Sequence, residues 1–341
     1  MNRYFALVSG ENVDLAQAEI QALIQTPGMN ATVSWIGQLG IIQATSDPVP
    51  FLLERAALLK ESGHILAQSE SLGSLIHDEY QIESWDSMQS ESSFCIRISN
   101  LAREESTEHL RAAIRQLGER IRYASGAHVS MRAPDTRILL VLTSGGVLVC
   151  KSIESRLRHE LGSRGPGSMR FFHPSMMNSF LARVMCNLAG VMPNYVVLDP
   201  FCGGGGILYE IMSIGAKPVG IDLSWPLLSG ANANLMDSTG NGYCLIQGDA
   251  RSIPLCKCHC IVTDPPYGRS SSTRGSESIM LVKSLLGQAR NLLHGGGKMC
   301  ICASTEMNMS RLVDALGMRP DARLRVPVHS GLTREVFVLR F

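Results

Sequence analysis

Apolar and polar positions follow two different rhythms along this chain. In the first 150 residues short strand-like runs and helical stripes are mixed. Tyr4-Phe5-Ala6-Leu7-Val8 reads as a strand, and Leu15, Ala18, Ile20, Leu23 and Ile24 recur at helical spacing. Strands over 31–36 and 40–44 and a helix over 50–60 follow, an order that predicts a small α+β unit of ferredoxin-like type across residues 1–64. A second unit, 65–152, starts with a helix-like stretch at 73–84 and an alternating strand at 94–98. A long helix over 107–123 then places Leu110, Ile114, Leu117 and Ile121 on its core face, with Arg111, Arg115, Arg120 and Arg122 around the rest. Two strands, 138–142 and 147–150, flank a Gly-Gly turn.

Residues 153–169 are charged and then rich in Gly, Pro and Ser, which reads as a linker. From 170 to 341 the rhythm becomes regular. Apolar strand runs at 195–198, 219–221, 243–246, 260–263 and 298–302 are separated by helical intervals, the βαβ pattern of a parallel, doubly wound sheet. The ending differs, because 323–328 and 335–340 read as an antiparallel hairpin.

Composition bounds this α/β picture. The chain has 341 residues, of which 45% are hydrophobic and 18% charged, enough to bury large cores. No apolar run reaches the roughly 18 residues of a membrane span, and Met1-Asn2-Arg3-Tyr4-Phe5 lacks a signal peptide's apolar core. Ten cysteines without paired spacing fit a reducing compartment. The expectation is a soluble, cytoplasmic protein with no membrane partner. The overall charge of +1 hides an asymmetry: −9 over residues 1–96, +6 over 97–170 and +4 over 171–341. Basic charge after residue 96 suits a polyanion-binding surface, and solvated arginine-rich helices would give the same count.

Four motifs carry candidate chemistry, in order along one sheet. Asp199-Pro-Phe201-Cys202-Gly203-Gly204-Gly205-Gly206 leads from a strand through a glycine turn into a helix. Such a turn lets a ligand approach the backbone and meet free N–H donors, and by itself it also suits a dinucleotide or a phosphate. Asp199 ahead of the glycines favours a cationic amino-sulfonium over a pyrophosphate, and the absence of a following Gly-Lys-Ser/Thr disfavours a triphosphatase. Asp222 ends the next strand, where an acid accepts from ribose hydroxyls. Asp249, followed by Ala250, ends the third and is placed to accept from an adenine amine. Any one of these acids is as easily a helix cap; three at successive strand ends describe an adenosine pocket.

The most specific motif is Asp264-Pro265-Pro266-Tyr267-Gly268, directly after the fourth strand. An exocyclic base amine is a weak nucleophile, because its lone pair is delocalised into the ring. Acceptors from Asp264 and the Pro265 carbonyl would orient its N–H bonds, the prolines would hold that carbonyl rigid, and Tyr267 would stack on a flipped base.

These residues resemble the amino-group methyltransferases of the Rossmann-fold class. The resemblance implies S-adenosylmethionine as cofactor, held at Asp199, Phe201, Gly203, Gly205, Asp222, Asp249 and Ala250. It also implies that the loop with His173 and Pro174 covers the methionine end. The N-terminal half resembles a ferredoxin-like domain joined to a THUMP RNA-binding domain, most clearly over 129–150. The run Val328-His329-Ser330-Gly331-Leu332-Thr333-Arg334 resembles the tail of the archaeal tRNA guanosine-10 N2-methyltransferases. The whole then reads as a Rossmann-fold methyltransferase domain, mostly parallel with a C-terminal antiparallel hairpin, acting on the N2 amine of guanosine-10 in tRNA, once or twice. Substrate contacts are expected from Pro266, Gly268, Arg269, His329, Arg334, Arg111, Arg115 and Arg132.

Other readings stay open at this point. Cys256, Cys258, His259 and Cys260 could be zinc ligands, but no second Cys/His pair has ligand spacing, and core or strand-end cysteines without metal are expected. Arg269 and Arg274 could touch phosphate or sit in a solvated loop; His329 and Arg334 could contact substrate or cap the hairpin. A ribosomal RNA guanine N2-methyltransferase, a tRNA enzyme for another guanosine, or an RNA-binding protein with a vestigial pocket compete with the main reading. A DNA adenine enzyme lacks its base-reading insert, so DNA is not expected as partner, and nothing implies an accessory subunit.

Overall fold

The computed structural model describes residues 2–77, 93–102, 105–236, 242–266, 275–329 and 332–341. Two units emerge. The first comprises Met1–Val13, Pro27–Glu54 and Leu59–Ser155; the second comprises Asp14–Thr26, Arg55–Leu58 and Arg156–Phe341. Helix α1 (Val13–Ile24) therefore falls almost wholly in the second unit.

The first unit is built on one eight-stranded sheet of β1 (Asn2–Val8), β2 (Ala31–Ile36), β3 (Leu39–Ala44), β4 (Leu59–Ser69), β5 (Ser93–Asn100), β6 (His128–Val129), β7 (Thr136–Thr143) and β8 (Gly146–Glu154). Their order is β2-β3-β1-β4-β8-β7-β5-β6, with β5 parallel to β6 and β7 and every other pair antiparallel. The helix expected over 50–60 is shorter: α2 (Val49–Arg55) stops, and β4 begins at Leu59. Lys60-Glu61-Ser62-Gly63-His64 hides this strand because its buried positions are not apolar. Buried Ser62 donates to the Phe5 carbonyl at 2.6 Å, and a side chain on Gly63 would collide with the Lys151 carbonyl. Helix α3 (Leu72–His77) forms the start of the stretch expected over 73–84, whose remainder lies outside the described residues.

Helix α4 (Thr107–Ser125) follows the predicted stripe. Leu117 and Ile121 are buried with Phe94, Ile96, Ile138 and Leu140, while Arg111, Arg115, Arg120 and Arg122 face solvent. Ser106 caps its start by accepting from the His109 N–H, and Gly126, in the left-handed region at φ 73°, ends it.

In the second unit, residues 156–163 of the stretch read as a linker form helix α5 (Arg156–Ser163). Strands β9 (Val196–Asp199), β10 (Lys217–Asp222), β11 (Cys244–Gln247), β12 (Cys258–Thr263), β13 (Leu293–Ser304), β14 (Pro320–His329) and β15 (Leu332–Arg340) form one sheet, ordered β11-β10-β9-β12-β13-β15-β14. The first five are parallel and the last two form the antiparallel hairpin. Strand alternation sends Val197, Cys260, Val262 and Cys300 into one core with α6 (Ser179–Leu188), α7 (Gly206–Ser213) and α8 (Trp225–Leu235). Leu198, Ile261, Met299 and Ile301 enter the other, with α9 (Gly275–Leu292) and α10 (Met309–Ala315). Helices cover both faces, and the strand order reverses direction between β9 and β12, where open α/β sheets bind ligands.

A buried polar knot ties α1 into this unit. Glu19, fully buried, accepts from the Ala57 and Leu58 N–H groups at 2.8 and 2.9 Å and from Asn187 at 2.8 Å. Arg55 donates to Asn187 and to the Val191 carbonyl. Of the two acids in α1, Asp14 is exposed in the first turn and Glu19 lies on the buried stripe; the partners of Glu19 are too far along the chain for the local pattern to announce them.

Candidate active site

The carboxyl ends of β9, β10 and β12 open into a cavity of about 540 Å3, within the range of small-ligand sites. The glycine turn after β9 makes its floor. Gly203 (φ 49°) and Gly205 (φ 83°) lie in the left-handed region that glycine tolerates. Gly204 serves a different need: a side chain there would press into Met176, at 2.8 Å from its sulfur. The glycine run is therefore required partly by the covering loop, as well as by the turn.

Three carboxylates converge here, each held differently. Asp222 caps two backbone donors, accepting from Gly203 N–H at Oδ2 and Ser224 N–H at Oδ1, both at 2.9 Å. Asp199, 1% exposed, accepts from the Thr263 hydroxyl at 2.6 Å and from Phe201 N–H at 3.1 Å. Burial pushes its carboxyl up to about 7, against the pull of those two donors, and the negative charges of Asp264 and Asp222 push the same way. Asp264, whose side chain is 12% exposed, faces Arg334 of β15, with the guanidinium 3.5 Å from Oδ2. Burial lifts it to about 7 as well, while Arg334 and the Cys302 thiol hold it down. Its Oδ1 is buried and has no hydrogen-bond partner among the described residues.

Asp249 also lines the cavity, in a wetter place. It is clasped by Arg251, whose backbone N–H and guanidinium both donate to it, and this keeps its carboxyl below the usual range. His173, Pro174, Phe201, Ala250, Pro265 and Pro266 line the same space. His173 Nδ1 lies 2.7 Å from the Ser175 hydroxyl.

The residues fit a bulky cation with hydroxyl and amine groups: a cavity floored by backbone, walled by Asp199, Asp222 and Asp264, and with no lysine among the described residues that line it. Residues 166–334 match the family model described as the RMKL-like methyltransferase domain. The tRNA (guanine(10)-N2)-dimethyltransferase of Methanothermobacter thermautotrophicus is 30% identical over 336 residues, 98% of each chain. The chain belongs to that family of methyltransferases. The Methanocaldococcus jannaschii member, of the same name, is 25% identical over 98% of each chain. Among solved structures, TrmN from Thermus thermophilus shares the fold at a TM-score of 0.58, with 20% identity and 99% of each chain covered. As a member of this family the protein is an S-adenosylmethionine-dependent enzyme.

Of the cofactor residues expected from the sequence, all but Gly205, which shapes the turn beneath, line one cavity with Asp264, Pro265, Pro266 and Arg334. Tyr267, Gly268, Arg269 and Arg274 lie outside the described residues, as does the side chain of His329. Arg111, Arg115 and Arg132 are exposed in the first unit. Cys258 and Cys260 are buried in β12, Cys260 donating to the Ala189 carbonyl, and Cys256 is exposed.

Two further residues that shape the site were not singled out from the sequence. Thr263 orients Asp199 from the neighbouring strand. Asn234 of α8 accepts from Phe171 N–H and donates to the Phe171 and Gly204 carbonyls, fastening the covering loop to the glycine turn. A polar residue on the buried side of α8 was the available signal for Asn234.

Proposed function

We propose that Asp264, the Pro265 carbonyl and Tyr267 hold the N2 amine of guanosine-10 in tRNA for methylation. The protein is a tRNA guanine N2-methyltransferase, and the observation that carries the assignment of roles is the unpartnered Oδ1 of Asp264 in the cavity. A buried acceptor without a donor costs about 1–3 kcal/mol, which an incoming N–H relieves. S-adenosylmethionine supplies an electrophilic methyl group on a sulfonium. The chain's own residues do the rest: Asp222 receives the ribose hydroxyls, Asp249 and Ala250 the adenine, and Asp199 with the loop of His173 and Pro174 the amino acid end.

The target base must leave its stack, at a cost of about a few kcal/mol, and Tyr267 and Pro266 receive its face. Asp264 orients the amine and takes up its proton after methyl transfer, a role its carboxyl near neutrality suits. Exposed Arg111, Arg115 and Arg132 contribute phosphate contacts, with Gly268, Arg269 and His329 nearer the base. Residues 65–152 act as the RNA-holding THUMP domain in this reading. The relatives are named for dimethylation, and N2,N2-dimethylguanosine is the expected end product. Among the described residues no helix is long and apolar enough to cross a membrane.

Labelled cofactor with tRNA transcripts tests this. An intact transcript is expected to be labelled at guanosine-10 and one with adenosine at that position to stay unlabelled. Equal labelling of both removes the position assignment, and nucleoside analysis after extended reaction reads one methyl group against two.

A further inference from the structure

Arg334 stands apart from the acids of the site. It reaches across from the antiparallel strand β15 to Asp264, directly after β12, and the two side chains, 14% and 12% exposed, pair inside the reaction cavity. We propose that Arg334 is a positioning residue that selects guanine, by keeping Asp264 an ionised, acceptor-only carboxylate whose Oδ1 faces the base. This rests on the function proposed above and deepens it.

The base edges explain the selection. Guanine presents two adjacent donors, N1–H and the N2 amine. An ionised carboxylate has about four lone-pair sites and no donor; Arg334 occupies Oδ2, leaving Oδ1 and the rest of Oδ2 for those two N–H groups. Adenine and 2-aminopurine present an amine beside a ring-nitrogen acceptor instead. That pairing repels a carboxylate and suits a protonated acid, which offers one acceptor and one O–H. The protonation state of Asp264 therefore decides which edge fits.

The groups facing Asp264 make that state conditional. Asp199 on β9 is a second acid, Cys302 on β13 a buried thiol, and Arg334 the cation beside it. Burial already lifts Asp264 to about 7, and removal of Arg334 leaves that burial opposed by the Cys302 thiol alone, so the carboxyl moves higher.

The test uses full-length protein and tRNA carrying guanosine or 2-aminopurine at position 10, since both bases have the C2 amine and only guanine has N1–H. Methylation of guanosine by the unaltered protein tests the function; the preference ratio tests Arg334. The unaltered protein is expected to favour guanosine by ~10–100-fold in kcat/KM, the discrimination of one good bidentate contact. In Arg334→Gln the acidic limb of the rate profile is expected to move up by about one pH unit or more, and the ratio to fall about tenfold. Arg334→Lys is expected to restore both in large part. Comparison of ratios across variants cancels the different intrinsic reactivity of the two amines. Should Arg334→Gln fail to fold, Asp264→Asn replaces the carboxylate by a neutral acceptor-and-donor, and the same collapse of preference is expected. If Arg334→Gln folds and loses rate with ratio and acidic limb unchanged, or if Asp264→Asn keeps the full guanosine preference, the proposal is overturned.

Discussion

The two ends of the cavity use the same side chain in opposite surroundings. At one end Asp249, its side chain 28% exposed and clasped by Arg251, is held below the usual carboxylate range. At the other, Asp199 and Asp264 lie buried and are lifted to about 7. Strand-end position is shared, so it cannot be what sets their chemistry. Access to water does that. Desolvation outweighs even the cation beside Asp264, whereas Asp249 pays little for its charge. The dry end holds the groups proposed to handle a cation and a proton; the wet end holds a group proposed only to recognise.

The comparison breaks hardest at Asp264. Replacement by Ala removes an acceptor engaged by the reacting amine, and such losses cost on the order of 10²–10³-fold in rate. Because Asp264 is proposed to face the base, single-turnover rate is expected to collapse while cofactor affinity changes by only a few-fold. Equilibrium dialysis with labelled S-adenosylmethionine separates the two. An equal collapse of affinity would mean that Asp264 belongs to the cofactor end.

Asp199 should give the next largest effect and a pH signature. Its carboxyl near 7 is mainly protonated at pH 6 and mainly ionised at pH 8, and a cationic cofactor prefers the ionised form. Affinity is therefore expected to rise across that window and to level above it. The stability sign runs the other way: an acid raised from 3.8 toward 7 favours the folded protein most at low pH, and this contribution is lost as pH rises from about 4 to 7. Added cofactor should consequently raise the melting temperature more at pH 8 than at pH 6. Asp199→Asn is expected to weaken binding about 10–100-fold at pH 8, from a Coulomb interaction of about 4 kcal/mol at close range, part of it offset by lost desolvation cost, and to flatten most of the slope. A slope that survives intact in the variant would assign the titration elsewhere.

How far the sequence reached follows from the same contrast between local and distant causes. Asp199, the glycine turn, Asp222 and Asp264 were legible because each ends a strand of regular βαβ rhythm, and backbone geometry aims strand ends at one place. The hairpin was equally legible from its two alternating runs. The pairing of Arg334 with Asp264 was not, since it joins residues 70 positions apart and depends on β15 lying antiparallel beside β13. Strand β4 and the Glu19 knot were hidden for a related reason. Their buried polar groups are satisfied by partners far along the chain, so Ser62 and Glu19 look like surface residues in a local window. The loss of apolar alternation across 60–64 then made a central strand resemble the end of a helix.

Asp249 should give the smallest effect, and its smallness is the informative part. Arg251 already occupies both of its oxygens, so a ligand amine adds a donor to a carboxylate that is neither bare nor desolvated. Exposed charge pairs of this kind are worth about 0–1 kcal/mol. Asp249→Ala is accordingly expected to weaken cofactor binding by no more than about fivefold, with no change in the single-turnover rate at saturation. Its effect should also be flat between pH 6 and 8, because a carboxyl held below its usual range stays ionised throughout. A loss as large as that of Asp199→Asn would mean that the cofactor closes this end of the cavity and displaces Arg251. The wet end would then become dry on binding, and the contrast between the two ends would be a starting point for recognition instead of a division of labour.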